Sequence, residues 1–293
     1  MQVGDFPIKD KVVVVTGGGS GICFEFVKKA IEAGAKVLIA DLKLTTQAQT
    51  WFNEVQDKRP VAFATCDVTK WSDLRELVDA SRKHFNAVPD VWVPGAGVFE
   101  PKWSNFWDDL ETERYQEVDI NVNHPIKLTR IAMQALAEAD KKGVVLSVAS
   151  IAGLSGTYSS ALYVATKHAV VGFTRSMALA DKYEGIKIVT ICPGVVKTPL
   201  WTDRDDYMKQ FGISDKLSLT PEYIADTMMD IIQQGRYPGG TVLEVRLEGT
   251  RVIHEWNNPV PESLKAEIPK EFIEHNIAPM RAIMDSYRKK PSS

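Results

Sequence analysis

The sequence predicts an α/β protein: one doubly wound domain with a seven-stranded parallel sheet, followed by a C-terminal extension. Three observations predict it. Short Val/Ile-rich runs, apolar almost throughout, alternate with longer stretches whose apolar residues recur at helical spacing. The first run leads straight into a glycine cluster and then a helical stretch. No Gly/Ser/Pro-rich linker and no internal repeat divides the chain between Lys11 and about Val245.

The strands are VVVV (12–15), KVLIA (36–40), VAFAT (61–65), DVWV (90–93), GVVLSVA (143–149), IKIVTI (186–191) and TVLEV (241–245). Runs apolar on both faces belong to strands covered by helices on both sides. Between them, Phe24, Val27 and Ile31 recur at i, i+3, i+7, and Leu74, Leu77 and Val78 at i, i+3, i+4. Residues 199–219 form a long connection before a helix at Thr220–Gln234, and a connection of that length reads as a lid. The catalytic-type domain is expected over 1–248. The extension, 249–293, carries Pro259 and Pro261, then Ile268, Phe272, Ile273, Ile277, Met280, Ile283, Met284 and Tyr287 at broadly helical spacing, interrupted by Pro269 and Pro279.

Composition narrows the function. Lys+Arg number 35 against 38 Asp+Glu, so no basic surplus exists to neutralise a phosphate backbone, and a nucleic-acid partner is not expected. No stretch approaches the roughly 18 apolar residues of a membrane span, and the first ten residues hold no long apolar run, so neither a membrane nor a secretory route is expected. Cys23, Cys66 and Cys192 are few, odd in number and far apart, which fits a reducing compartment, the cytoplasm. No metal is expected.

Two constellations carry chemistry. Strand VVVV runs into Thr16-Gly17-Gly18-Gly19-Ser20-Gly21-Ile22. Gly17 permits a tight turn and Gly21 lets backbone approach a pyrophosphate, which the free N–H groups and partial positive charge of the next helix would hold. Asp41 closes the second strand, where a carboxylate can accept both ribose hydroxyls of an adenosine and repel a 2′-phosphate. The cofactor is therefore NAD, with NADP the alternative. A plain helix cap is the competing role for Asp41, and nearby Lys43 could attract a phosphate. Further on, Tyr163 and Lys167 share a helix face at i, i+4, and an ammonium beside a phenol favours phenolate. Ser150, thirteen residues earlier at a strand's end, can polarise a carbonyl.

Together these residues resemble the short-chain dehydrogenase/reductase family over about residues 8–247, and nearest within it the NAD-dependent hydroxyprostaglandin-dehydrogenase-like and fungal-type alcohol dehydrogenases. The resemblance implies a Rossmann-type fold and hydride transfer between nicotinamide and a secondary alcohol or ketone. It implies a catalytic tetrad of Asn121, Ser150, Tyr163 and Lys167, in which Asn121 holds a water that links Lys167 to solvent. It also implies cofactor contacts at Gly17, Gly19, Ser20, Gly21, Ile22, Asp41, Asp67, Val68, Gly97, Arg130, Tyr163, Lys167, Pro193, Val196 and Thr198. Pairing through helices at roughly 113–138 and 159–183 would make a homodimer or homotetramer.

The chain departs from the family pattern twice. Cys23 replaces the third loop glycine, and Pro94-Gly95-Ala96-Gly97 replaces Asn-Asn-Ala-Gly. Cys23 reads as an inert buried thiol, and the lost asparagine hydrogen bonds must be replaced by water or backbone. A catalytically silent dinucleotide-binding sensor or scaffold is the alternative function. Phe99, Trp103 and Trp107 after the fourth strand, and Trp201, Tyr207 and Phe211 in the 199–219 segment, lie at carboxyl ends of strands. They suggest an apolar substrate, with Phe99, Trp103 and Trp201 as contacts, unless the rings merely pin their loops.

Overall fold

In a computed structural model, residues 2–211, 213–254 and 272–289 are described. Eight strands make one sheet: β1 (Val12–Thr16), β2 (Lys36–Asp41), β3 (Val61–Thr65), β4 (Val91–Pro94), β5 (Gly143–Val148), β6 (Ile186–Pro193), β7 (Val242–Arg246) and β8 (Gly249–Val252). Their order is β3-β2-β1-β4-β5-β6-β7-β8. The first seven are parallel, whereas β8 folds back antiparallel on β7, Leu243 facing Val252. The sheet thus has one strand more than predicted and extends past residue 248. GTRV was missed because its side chains face solvent and carry no apolar run.

Helices cover both faces. On one, α1 (Gly21–Glu32) packs beside α10 (Pro221–Gln233), burying Phe26, Val27, Ile31, Ile224, Met228 and Ile231 against Val13, Val15 and Val189. On the other, α3 (Trp71–Phe85) and α5 (His124–Glu138) bury Leu74, Leu77, Leu128 and Leu136 against Val14, Leu38, Trp92 and Val145. Each fully buried Leu or Val contributes about 1.5–3 kcal/mol. The strand order reverses between β1 and β4, and the crevice at their carboxyl ends is where such sheets bind ligands.

Termini are set locally. Thr45 caps α2 (Thr46–Val55) by accepting from the Ala48 N–H, and Thr220 caps α10 by accepting from Tyr223 N–H, with Pro221 opening the helix. At the other end of α10, the buried Lys187 ammonium on β6 donates to the Ile232 carbonyl at 2.8 Å and the Gln234 carbonyl at 3.3 Å.

Two predicted helices are interrupted. The 113–138 region holds a single turn, α4 (Gln116–Val118), then a π-helical turn at Asp119–Asn123 before α5. Pro125 has no N–H to continue the α-helical ladder, and the wider turn sits just upstream of it. The 159–183 region divides into α6 (Ala161–Ser176) and α7 (Leu179–Glu184). Gly239 and Gly240 press on Ala178 at the break; a β-carbon on Gly240 would come within 2.5 Å of the Ala178 β-carbon.

The 199–219 segment has structure of its own: α8 (Pro199–Thr202), α9 (Asp205–Gln210) and a turn at Asp215–Leu217. Its end is anchored by a bridge between Val196 and Leu219. In the extension, α11 (Phe272–Arg288) lies along α5, with Met284 buried and Arg288 bonded to Glu184 of α7 at 2.6 Å. Pro259, Pro261, Ile268 and Pro269 lie outside the described residues. Among the described residues no helix is long and apolar enough to cross a membrane, and no cluster of three or more His, Cys, Asp or Glu could hold a metal.

Candidate active site

A cleft of about 550 Å³ opens at the carboxyl ends of the parallel strands. The chain enters it through Gly17, whose φ of 69° and tight approach to Ala96 leave no room for a side chain: a β-carbon would stand 2.7 Å from the Ala96 Cα. Ser20 precedes α1 without a side-chain cap, so the first N–H groups of that helix remain available to an anion. Gly17, Ser20, Gly21 and Ile22 line the cleft.

Asp41 faces this loop. Its Oδ2 accepts the Gly19 N–H at 2.9 Å, and Oδ1 stands 3.4 Å from the Lys43 amide. The helix-cap role belongs to Thr45 instead. Asp67 and Val68 line the same end, with the Asp67 carboxylate also accepting from the Thr69 N–H and hydroxyl. Pro193, Val196, Thr198 and Gly97 line the middle.

The chemistry-bearing side chains meet deeper in. Ser150 follows β5, and Tyr163 and Lys167 project from the first turns of α6. All three line the cleft. The Lys167 ammonium donates to the Val148 carbonyl at 3.0 Å and lies 5.4 Å from the Tyr163 ring centroid. Burial lowers Lys167 to about 8. Burial likewise raises the Tyr163 phenol, with the Ser150 hydroxyl pulling it back. In this geometry desolvation, more than the neighbouring ammonium, dominates the phenol.

Asn121 is brought beside this group but does not line the cleft. Its Oδ1 accepts the Val98 N–H at 2.9 Å, and its amide donates to Val98 O, Glu117 Oε1 and Thr166 Oγ1. Thr166 in turn donates to the Tyr163 carbonyl at 2.7 Å. The amide therefore acts on Tyr163 through the packing of α6. Arg130 is placed elsewhere. It sits on the exposed side of α5, stacked on and bonded to Tyr287 of α11, well away from the cleft lining. Its neighbours Leu128, Ile131 and Ala132 take the core-facing positions, so Arg130 must point outward.

Of the aromatics, Phe99 is buried at the centre of a cluster with Tyr163, Trp201, Tyr207 and Phe211, at centroid distances of 4.8, 4.6, 5.8 and 5.2 Å. Phe99, Leu200, Trp201, Phe211 and Ile213 form one wall of the cleft, and Ser155, Thr157 and Ser160 contribute hydroxyls to it. Trp103 lies outside, in an adjoining depression with Lys102 and Arg204. Trp107 stacks on the exposed Tyr158.

The departures from the glycine pattern are met by side chains. Thr16 Oγ1 accepts the Gly95 N–H at 3.0 Å, where water or backbone had been expected to replace the missing asparagines. The same hydroxyl bonds His124 Nε2 at 2.9 Å. His124 Nδ1 faces the Ile120 carbonyl, which can only accept, so Nδ1 carries the proton and Nε2 accepts. Burial lowers His124 to about 4, keeping it neutral. The thiols of Cys23, Cys66 and Cys192 are all buried, and burial raises each to about 12.

Sequence reasoning missed Glu100, Glu117, Thr16, His124 and Thr166. The one signal available was spacing: Glu117 stands four residues before Asn121, on the same helical face.

Comparison with known proteins agrees with this geometry. The family model described as short chain dehydrogenase matches residues 11–209. The chain is similar to 15-hydroxyprostaglandin dehydrogenase [NAD(+)] of Rattus norvegicus, 28% identical over 269 residues that cover 84% of this chain and 94% of that one. It is 30% identical to (+)-borneol dehydrogenase 2 of Salvia officinalis, covering 80% and 87% of the two chains. With L-fucose dehydrogenase of Bos taurus it shares 32% identity, over 66% and 68% of the two chains. The crystal structure of gox2181 superposes with a TM-score of 0.69 at 23% identity over 80% of this chain and 94% of that one, a likeness of fold.

Proposed function

The chain belongs to the short chain dehydrogenase family, and from that premise we propose that it is an NAD-dependent oxidoreductase acting on an apolar secondary alcohol or its ketone. The observation that carries the reading is convergence. Ser150, Tyr163 and Lys167 line the same cleft as the glycine loop and Asp41. The residues present fit a nicotinamide dinucleotide. The uncapped start of α1 suits its pyrophosphate, and the Asp41 carboxylate suits an unphosphorylated adenosine ribose.

When bound, the nicotinamide supplies the hydride acceptor or donor. The chain supplies the rest. The Ser150 hydroxyl holds the substrate oxygen, and the Tyr163 oxygen takes the alcohol proton or returns it. The Lys167 ammonium, fixed on the Val148 carbonyl, stabilises the phenolate that accepts the alcohol proton, the same form that is left when the phenol returns it to a ketone oxygen. The apolar wall around Phe99 and Trp201 holds the substrate body and keeps water from the reacting atoms. Arg130 has no part in this reading, and Asn121 acts as a support for α6.

Similarity to the hydroxyprostaglandin and borneol enzymes supports an apolar alcohol and, for the former, NAD. The unpaired thiols suit the cytoplasm, and we expect a homodimer or homotetramer. The testing experiment is a panel of apolar secondary alcohols and ketones, run with NAD and NADP, read by the absorbance of reduced nicotinamide. Turnover with NAD and an apolar alcohol is expected. Tight binding of NADH with no turnover of any alcohol or ketone would favour the silent sensor instead.

A further inference from the structure

Two carboxyl groups lie buried beside the site without lining the cleft. Glu100 is 2% exposed and Glu117 fully buried. The Glu100 N–H donates to Glu117 Oε1 at 3.2 Å, which joins the two residues directly. Glu117 Oε1 also accepts from Asn121 Nδ2 at 3.3 Å. Glu100 Oε1 accepts the Tyr163 N–H at 3.0 Å, at the start of α6, where amides lack intrahelical partners and the Ser160 side chain supplies no cap. The second oxygen of each carboxyl has no partner. Glu100 is held in the left-handed region, φ 38°, and its carbonyl accepts the Tyr207 hydroxyl of α9 at 2.6 Å. One strained residue thus fastens both the aromatic-bearing 199–219 segment, the flap over the cleft, and the helix that carries Tyr163 and Lys167.

Two full negative charges in so dry a place repel each other, and the nearby Lys167 ammonium offsets less than burial costs. Of the two carboxyls only Glu100 accepts an amide at a helix start, that of Tyr163, which favours its charge; Glu117 lies in the first turn of α4, but its carboxyl accepts from Glu100 and Asn121 instead. We propose that Glu100 and Glu117 form a carboxyl pair that holds one proton, Glu100 ionised on the Tyr163 amide and Glu117 neutral on Asn121, and that this pair positions the catalytic helix. One proton on the pair turns two orphaned acceptors into one donor and one acceptor. Burial, then the Glu100 charge, raises Glu117 to about 8. Burial also raises Glu100, with the Tyr163 and Leu162 amides pulling it back. The other charged and titratable groups around the pair are Lys167 and Tyr163 on α6, and Arg204 and Tyr207 on the flap. Above that pH the second charge appears and Glu100 is pushed off the Tyr163 amide.

The inference rests on the oxidoreductase reading only in taking Tyr163 as catalytic. The test compares the full chain with Glu117→Gln and Glu117→Leu. In infrared difference spectra at neutral pH, the wild type should show the carbonyl stretch of a protonated carboxyl that Glu117→Gln lacks. Its absence overturns the proposal, whether or not any alcohol is turned over. On the best alcohol of the panel, Glu117→Gln should keep kcat within about threefold, because an amide offers acceptor and donor without titrating, and its alkaline limb should become less steep, with Lys167, itself near 8, left as the group that titrates there. Glu117→Leu strands the Glu100 N–H and takes from the Asn121 amide one of its three acceptors, and should lower kcat by at least about tenfold with the KM for NAD nearly unchanged. Wild-type kcat and pH profile in Glu117→Leu would overturn the positioning role.

Discussion

The sulfur of Cys23 occupies the space a β-carbon on Gly95 would need: the two atoms would stand 2.2 Å apart. The two departures from the family glycine pattern are therefore one substitution in two places. A side chain is gained on α1 where one is given up after β4. Gly95→Ala should destabilise by about 1–3 kcal/mol through overpacking. In Cys23→Ala the remaining β-carbon stands 3.6 Å away, an ordinary contact. Adding Cys23→Ala should recover at least half of the Gly95→Ala loss in thermal unfolding, the remainder reflecting the Thr16 carbonyl at 2.9 Å. Strictly additive effects would show that the two sites are not coupled.

Tyr163→Phe keeps the ring that packs on Phe99 and removes the hydroxyl. Turnover should fall by at least ~10²-fold, the scale of a general acid or base, while NADH binding, followed by its fluorescence, stays nearly intact. Near-normal turnover would rule out Tyr163 as the proton carrier.

Asp41 should set cofactor choice. Its Oδ2 is held on the Gly19 amide at the adenosine end proposed for the cleft, so a 2′-phosphate bound there would meet its charge. Repulsion of about 2–4 kcal/mol at an effective dielectric near 20 corresponds to about thirtyfold or more in favour of NAD. Asp41→Ser with Leu42→Arg should invert the ratio of kcat/KM for the two cofactors, since a guanidinium grips phosphate with two donors. A preference for NADP in the unmodified protein would remove the carboxylate from this role.

Trp201 packs 4.6 Å from Phe99 and lines the cleft. Trp201→Ala should raise KM for an apolar alcohol by about tenfold, roughly the loss of part of a large apolar contact, and leave the KM for NAD unchanged. An unchanged alcohol KM with a lowered melting temperature would assign the ring to pinning the flap.

His124 makes stability depend on acid. Its folded value, about 4, lies below the ordinary 6.5, so the unfolded chain binds more protons between those limits. Its contribution is full above pH 6.5 and is lost as pH falls toward 4, to the extent of roughly 3 kcal/mol. The melting temperature of His124→Gln should fall less steeply than the wild type over that interval. Equal slopes would show that His124 is not held neutral.

Legibility followed burial on two faces. β1, β2, β5 and β6 announce themselves because helices cover both of their sides, leaving unbroken apolar runs. β8, with its side chains in solvent, has no such signature. Tyr163 and Lys167 were readable because helical spacing fixes their relation, and Asp41 because a strand's end fixes its place. The Glu100–Glu117 pair joins a loop to a separate helical turn through a backbone of positive φ, and no local periodicity encodes that meeting. Arg130 was placed by analogy with a family position, although the apolar phase of 128, 131, 132, 135 and 136 already turned it outward.

Three buried thiols near the cofactor side of the sheet have a chemical consequence. Alkylating agents and peroxides react with thiolate, and groups held near 12 offer almost none at neutral pH. Cys23 and Cys66 line the cleft itself, yet neither presents a nucleophile to what enters it. The protein should therefore tolerate iodoacetamide and go without an added reductant. Oxidation of its thiols therefore gives peroxide no ready route to change its turnover.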